Sequence, residues 1–86
     1  MRRDKAEALV STELTKALQK HHAMASSHEG YAVILEELDE LWDEIKQQNA
    51  QGWPPILQQN LAVAAAQVAA MGLRFLIDLV EMDHAS

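Results

Sequence analysis

With 86 residues the chain has room for one domain, 1–86, and a chain this short buries only about 60% of its unfolded surface by folding alone, so further burial against a partner is expected. Apolar residues make up 49% of it, yet the aromatics are only Tyr31, Trp42, Trp53 and Phe75, which leaves Ala, Leu, Val and Ile to build a core and favours helices over strands. Thirteen acids against seven bases give a formal charge of −6 and there is no cysteine; the charge argues against nucleic acid and anionic membrane as partners, and the missing thiols exclude disulfides and thiolate metal sites and make the cytoplasm the expected compartment.

The first helix is predicted over about residues 4–24. Its basic start, Met1-Arg2-Arg3-Asp4-Lys5, has no apolar run behind it because Glu7, Glu13 and Lys16 interrupt, so it does not read as a signal peptide. Val10, Leu14, Ala17, Leu18 and His21 fall on one line at helical spacing, with Lys5, Glu13, Lys16 and Lys20 outside it, the pattern of an ordinary amphipathic helix. A break follows at 25–30, where Ser26 and Glu29 have the spacing of a capping box. His21, His22 and His28 gather around this break; neighbouring imidazoles on a helix point about 100° apart and do not chelate together easily, so capping or surface roles are expected. His84 belongs to a tail expected to fray.

The second helix is predicted over about 28–49. Tyr31, Ile34, Leu35, Leu38, Leu41, Trp42 and Ile45 form a seam with a near-heptad rhythm, expected to pack along one side with Trp42 filling it. Glu36, Glu37, Asp39, Glu40, Asp43 and Glu44 crowd nine residues, with Lys46 the one base on this helix, and like charges three and four apart repel by a few tenths of a kcal/mol each. Glu37, Glu40 and Glu44 fall on one flank of the seam, where a neighbouring helix is expected, and Glu36, Asp39 and Asp43 point further towards solvent. Carboxylates at this spacing supply the oxygen ligands that Mg²⁺ prefers; a solvated acidic face that keeps the chain soluble has the same spacing.

The firmest boundary is the turn at 49–55, with Gly52 to end one helix and Pro55 suited to the first turn of the next; Trp53 is expected to cover it. The third helix, about 55–83, is apolar nearly all round: Val63, Ala66, Ala70, Leu73, Ile77 and Val80 lie opposite Leu61, Ala64, Ala65, Val68, Phe75 and Leu79. Two smaller helices cannot cover it, so a second copy is expected, giving an all-α, three-helix antiparallel chain that forms a multi-helix bundle through dimerisation. The run 61–73 is interrupted by Gln67 and followed by Arg74 and Asp78, too polar and short to span a bilayer. Asn60, Gln67, Arg74, Asp78 and Glu81 form a narrow polar strip on this helix, and buried polar groups need partners.

The segment 28–42, His-Glu-Gly-Tyr-Ala-Val-Ile-Leu-Glu-Glu-Leu-Asp-Glu-Leu-Trp, resembles the first motif of the MazG-like all-α nucleotide pyrophosphohydrolases, in which a Glu-Glu-x-x-Glu helix is followed by Glu-x-x-Asp on another helix. Residues 67–76 resemble the second helix of small members, so the likeness covers about 28–80. It implies a helical dimer or tetramer that binds Mg²⁺ or Mn²⁺ and cleaves a nucleoside triphosphate to monophosphate and pyrophosphate, with Glu37 and Glu40 as catalytic metal ligands. Glu44, on the same flank, is placed by geometry to take a second ion or an ordered water. The register of the second motif falls on Ala64 and Gln67, neither of them an anion, although Gln67 offers a neutral oxygen; Asp78 is on the same strip but about 16 Å further along the axis. Arg74 is a candidate substrate-binding residue through a phosphate, or it neutralises Glu37 or Glu40 in a helix contact. The leading expectation is a Mg²⁺-dependent nucleoside triphosphate pyrophosphohydrolase; the alternative, which Ala64 and Gln67 favour, is a non-catalytic oligomeric interaction protein with the same fold.

Overall fold

Local signals set most helix ends. In a computed structural model, the described residues 1–81 form α1 (Arg3–Lys20), α2 (Ser27–Gln51) and α3 (Pro55–Leu79). At the start of α2 the Ser26 hydroxyl accepts from the Glu29 amide at 3.1 Å, while the Glu29 carboxylate accepts from the Ala25 amide at 3.3 Å, a capping box whose return bond falls one residue outside the cap. Gly52, at φ 83°, ends α2 and donates its amide to Gln48 O at 2.9 Å, a backbone region that costs glycine little. Pro55 takes the first helical position of α3, where a missing N–H removes nothing.

The other two ends differ from expectation. α1 stops at Lys20 rather than near 24, and His21 is extended (φ −128°, ψ 146°). No glycine signals this stop. The chain is drawn off the helix by α3, whose Arg74 binds the carbonyls of Ala17, His21 and His22 and whose Asp78 accepts the Met24 amide. α3 ends at Leu79 with Val80 extended, short of the expected 83; the predicted last residues of that helix and His84 lie outside the described residues.

The helices are all there is to the described fold: it is all-α, with α3 in the middle. α1 and α2 each pack on α3, and their backbones stay apart from one another. The contacts Glu13–Gln67 and Ala17–Arg74 advance together along α1 and α3, so these two run parallel. α2 runs the other way, because Gly30 at its start meets Phe75 and Leu79 near the end of α3, and Glu40 and Glu44 share a groove with Asn60 and Ala64 near its beginning. The outline is elongated, 48 × 28 × 21 Å, with a radius of gyration of 14.6 Å against about 12 Å for a compact chain of this length.

The core is thin. Ala17, Met24, Ala70 and Met71 are buried at its centre, with Val10, Leu14, Val33, Ile34, Phe75 and Leu79 half-buried around them, and no large side chain among the described residues is wholly enclosed. Small residues bring the helices close: a Cβ on Gly30 would sit 2.6 Å from Phe75 Cδ2. The α2 seam splits in two, contrary to the expectation of a single packed side. Ile34, Leu41 and Ile45 are half-buried, whereas Tyr31, Leu35, Leu38 and Trp42 form a second stripe that is exposed, Trp42 by 54%. Trp42 therefore does not fill a core; its ring lies 5.9 Å beneath the Lys46 ammonium. On α3, Ile56, Leu73, Leu76 and Ile77 are likewise exposed.

By length and composition α3 is long and apolar enough to cross a membrane, which the shorter run 61–73 did not indicate. Its polar side nevertheless faces protein: Gln67, Arg74 and Asp78 are all hydrogen-bonded to α1 or to the connector after it.

Candidate functional site

Because α1 and α2 rest on α3 without meeting, a groove of about 620 Å³ opens between them. Val63, Gln67, Met71 and Arg74 form its floor; Glu13, Lys16 and Lys20 wall it on α1, and Val33, Glu36 and Glu37 on α2. A shallower groove of about 360 Å³ shares Val63 and Gln67 with it and is bounded by Glu40, Asp43 and Glu44 from α2 and Asn60 and Ala64 from α3. The predicted acidic flank thus meets α3 along the polar strip. Ala64 and Gln67 line the groove that holds Glu40 and Glu44.

Glu37 is the most perturbed group. Its carboxyl is pushed up to about 7, first by burial, then by the charge of Glu40 and a hydrogen bond with it, and further by Glu36 and Glu13. Its Oε2 is fully enclosed and faces no donor. A proton on Glu37 relieves both the burial of its charge and the repulsion from Glu40. A cation answers the same electrostatic need as that proton.

A third carboxylate comes from an unexpected place. Glu13, placed by the sequence on the polar side of α1, is only 6% exposed; it accepts from Gln67 Nε2 at 3.1 Å and from Lys16 Nζ at 3.3 Å. Gln67 thereby turns its amide nitrogen to α1, leaving its oxygen uncommitted. The signal was present in outline, since Val10, Glu13 and Ala17 share a face at i, i+3 and i+7, and an acid amid apolar neighbours on that face needs a polar partner on the next helix.

Arg74 does other work than either use expected of it. It is 3% exposed, its Nε bonds Asp78 Oδ2 at 3.1 Å, and its Nη atoms donate to Ala17 O at 3.0 Å, His21 O at 2.9 Å and His22 O. The guanidinium caps the carbonyl end of α1, and Asp78, not Glu37 or Glu40, neutralises it. Four of its five N–H groups are occupied in this way. Arg74 lines the groove floor from beneath, so any contact with a phosphate is through its field.

His21, His22 and His28 are exposed, and the His22 ring nitrogen Nδ1 pairs with Ala23 O at 2.9 Å. Trp53 is 49% exposed beside its turn, where its carbonyl accepts from Gln58 Nε2 at 3.0 Å. Among the described residues no three His, Asp or Glu side chains are already converged on one point as a metal cage. The acidic pair is thus a two-carboxylate site with Glu13 and Gln67 close by. No family model, no curated protein and no solved structure matches the chain.

Proposed function

We propose that the chain is a MazG-like nucleotide pyrophosphohydrolase: a homodimer that uses Mg²⁺ or Mn²⁺ to cleave a nucleoside triphosphate to monophosphate and pyrophosphate. One observation carries the reading, the enclosed, donorless Glu37 Oε2 beside Glu40. An all-oxygen, anionic donor set fits a hard divalent cation, and Mg²⁺ characteristically takes one or two carboxylates from the protein and the rest of its shell from water and substrate phosphates. Glu37 and Glu40 would hold it, with Glu44 on the neighbouring groove and the Gln67 oxygen as supporting ligands, and with Glu13 adding charge from α1. A bound divalent ion lowers the pKa of an attacking water and offsets charge that develops on the phosphates. The chain's own contribution is to set Glu37 on a groove large enough for a nucleotide, with Glu40 and Glu44 on the shallower groove beside it, and to anchor the larger groove through the Arg74 fork.

A second reading, a non-catalytic helical interaction protein, is favoured by a different observation. The stripe Tyr31, Leu35, Leu38 and Trp42 is exposed, an apolar face of the kind that marks an interaction surface. A second copy suits this stripe in both readings, so self-association does not separate them. Calorimetric titration with Mg²⁺ and a non-hydrolysable triphosphate does. Metal-dependent binding by the wild type, lost in Glu37→Ala/Glu40→Ala, together with pyrophosphate release from a triphosphate panel, is the expected result. No binding by either protein, with a dimer in light scattering, leaves the interaction role alone.

A further inference from the structure

We propose that Lys16 and Lys20, on successive turns of α1, form a rail for the distal phosphates of a polyphosphate chain, at the end of the main groove away from the acidic pair. The inference rests on the cation-dependent reading above and adds to it the direction in which the substrate lies. Both lysines wall the groove together with Glu13. Along the axis of α1 they follow Glu13 by about 4.5 Å and about 10.5 Å, so a phosphate chain anchored at the carboxylates and lying along α1 passes first one ammonium and then the other. The Lys16 side chain is 58% exposed and shares Glu13 at 3.3 Å, whereas Lys20 has no ion-pair partner among the described residues.

The carbonyl end of a helix is ordinarily a poor place for an anion, since it carries about half a negative charge. Here that obstacle is reduced at one helix carbonyl, Ala17, and at the two carbonyls that follow the helix. The carbonyls of Ala17, His21 and His22 point into the Arg74 guanidinium, and the connector beyond is tied by the Met24 amide to Asp78. The charged groups facing this end are then Lys16, Lys20 and Glu29, with Arg74 and Asp78 paired beneath; Glu29 is turned back to the Ala25 amide at 3.3 Å. Glu13, Glu36 and Glu37 lie towards the other end. The groove therefore grades along its length, from carboxylates that would hold a cation, through Lys16 paired with Glu13 at 3.3 Å, to the Lys20 ammonium, unpaired among the described residues, that would hold the far end of the anion. Lysine acts in such a rail as a point charge and needs no fixed geometry.

The test uses inorganic tripolyphosphate as the probe, titrated calorimetrically with and without Mg²⁺ into the wild type, Lys20→Gln, Lys16→Gln/Lys20→Gln and Glu37→Gln/Glu40→Gln. Lys20→Gln should weaken Mg²⁺-dependent tripolyphosphate binding by about tenfold and the double lysine variant by more, each charge-assisted contact being of that order. Titration with Mg²⁺ alone should be unchanged in Lys20→Gln and lost in the glutamate variant. Equal tripolyphosphate affinity in wild type and both lysine variants overturns the rail and leaves the cation reading standing, as does sulfate binding as tightly as tripolyphosphate. Absence of any Mg²⁺-dependent tripolyphosphate binding to the wild type overturns the cation reading and the rail with it.

Discussion

Replacing Glu37 by Gln removes the charge that the site tolerates least and keeps the shape. In the metal-free protein the Glu37 carboxyl has risen from 4.5 to about 7 through burial and the neighbouring Glu40, Glu36 and Glu13. A carboxyl whose folded-state pKa is raised binds its proton more tightly in the folded chain than in the unfolded one. Its contribution is therefore complete below about pH 4.5 and is lost as pH rises through about 7. Fully transmitted, the change would amount to about 3 kcal/mol at 1.36 kcal/mol per pH unit; Glu37 is only half-buried, and solvent screening reduces it to about 1–2 kcal/mol. Glu37→Gln should thus be more stable than the wild type by about 1–2 kcal/mol at pH 8 and near parity at pH 4.5, a gain of roughly 4–15 °C in Tm for a domain of this size.

The assay is thermal unfolding followed by circular dichroism across pH 4.5–8.5 in chelator, repeated with Mg²⁺. Subtracting the two proteins' curves cancels the contributions of the ionisable groups they share. Magnesium should raise the wild-type Tm at pH 8, because an ion that binds the folded state's crowded carboxylates stabilises it, and should do little for Glu37→Gln. A difference curve that is flat between pH 4.5 and 8, or a glutamine variant less stable at pH 8, refutes the account of a buried Glu37 crowded by like charges.

Two further outcomes follow from packing. Arg74→Met should cost about 3–5 kcal/mol in urea unfolding, since it strands the Asp78 carboxylate and the α1 carbonyls in a buried place; Arg74→Lys should rescue little, because an ammonium cannot reproduce the fork. Gly30→Ala should destabilise by about 1–3 kcal/mol, the new methyl lying 2.6 Å and 2.8 Å from two Phe75 ring carbons, whereas Gly72→Ala, with open space around its Cβ, should be neutral or stabilising through helix propensity.

Helix number, the Ser26 and Gly52 boundaries and the Pro55 start were legible because each is decided within a few residues: a hydroxyl reaching an amide three ahead, a backbone at positive φ, a ring that fixes φ. The polar strip on α3 was legible as a need for partners. Which partners was not. Glu13 and Arg74 find theirs more than fifty residues away, and nothing in periodicity says that the guanidinium serves a helix end in place of a glycine. The α2 seam misled for a related reason. Its seven apolar residues span more arc than one neighbouring helix can cover, so α3 takes the half around Ile34, Leu41 and Ile45 and leaves Tyr31, Leu35, Leu38 and Trp42 uncovered. The acidic flank could be drawn from the sequence, but the enclosure of one oxygen of Glu37 depends on how closely α2 lies against α3, which is a property of packing.

The way α1 ends has a kinetic consequence. Its stop signal is carried by a side chain 52 to 57 residues later in the chain, so the boundary at Lys20 does not exist until α3 has formed and docked. Before that moment nothing local halts the first helix, and the nascent segment is free to wind onward through the stretch that later becomes the connector. Any such extension unwinds quickly as Arg74 arrives and Met24 is buried, so the end of α1 and the native groove are set together when α3 docks.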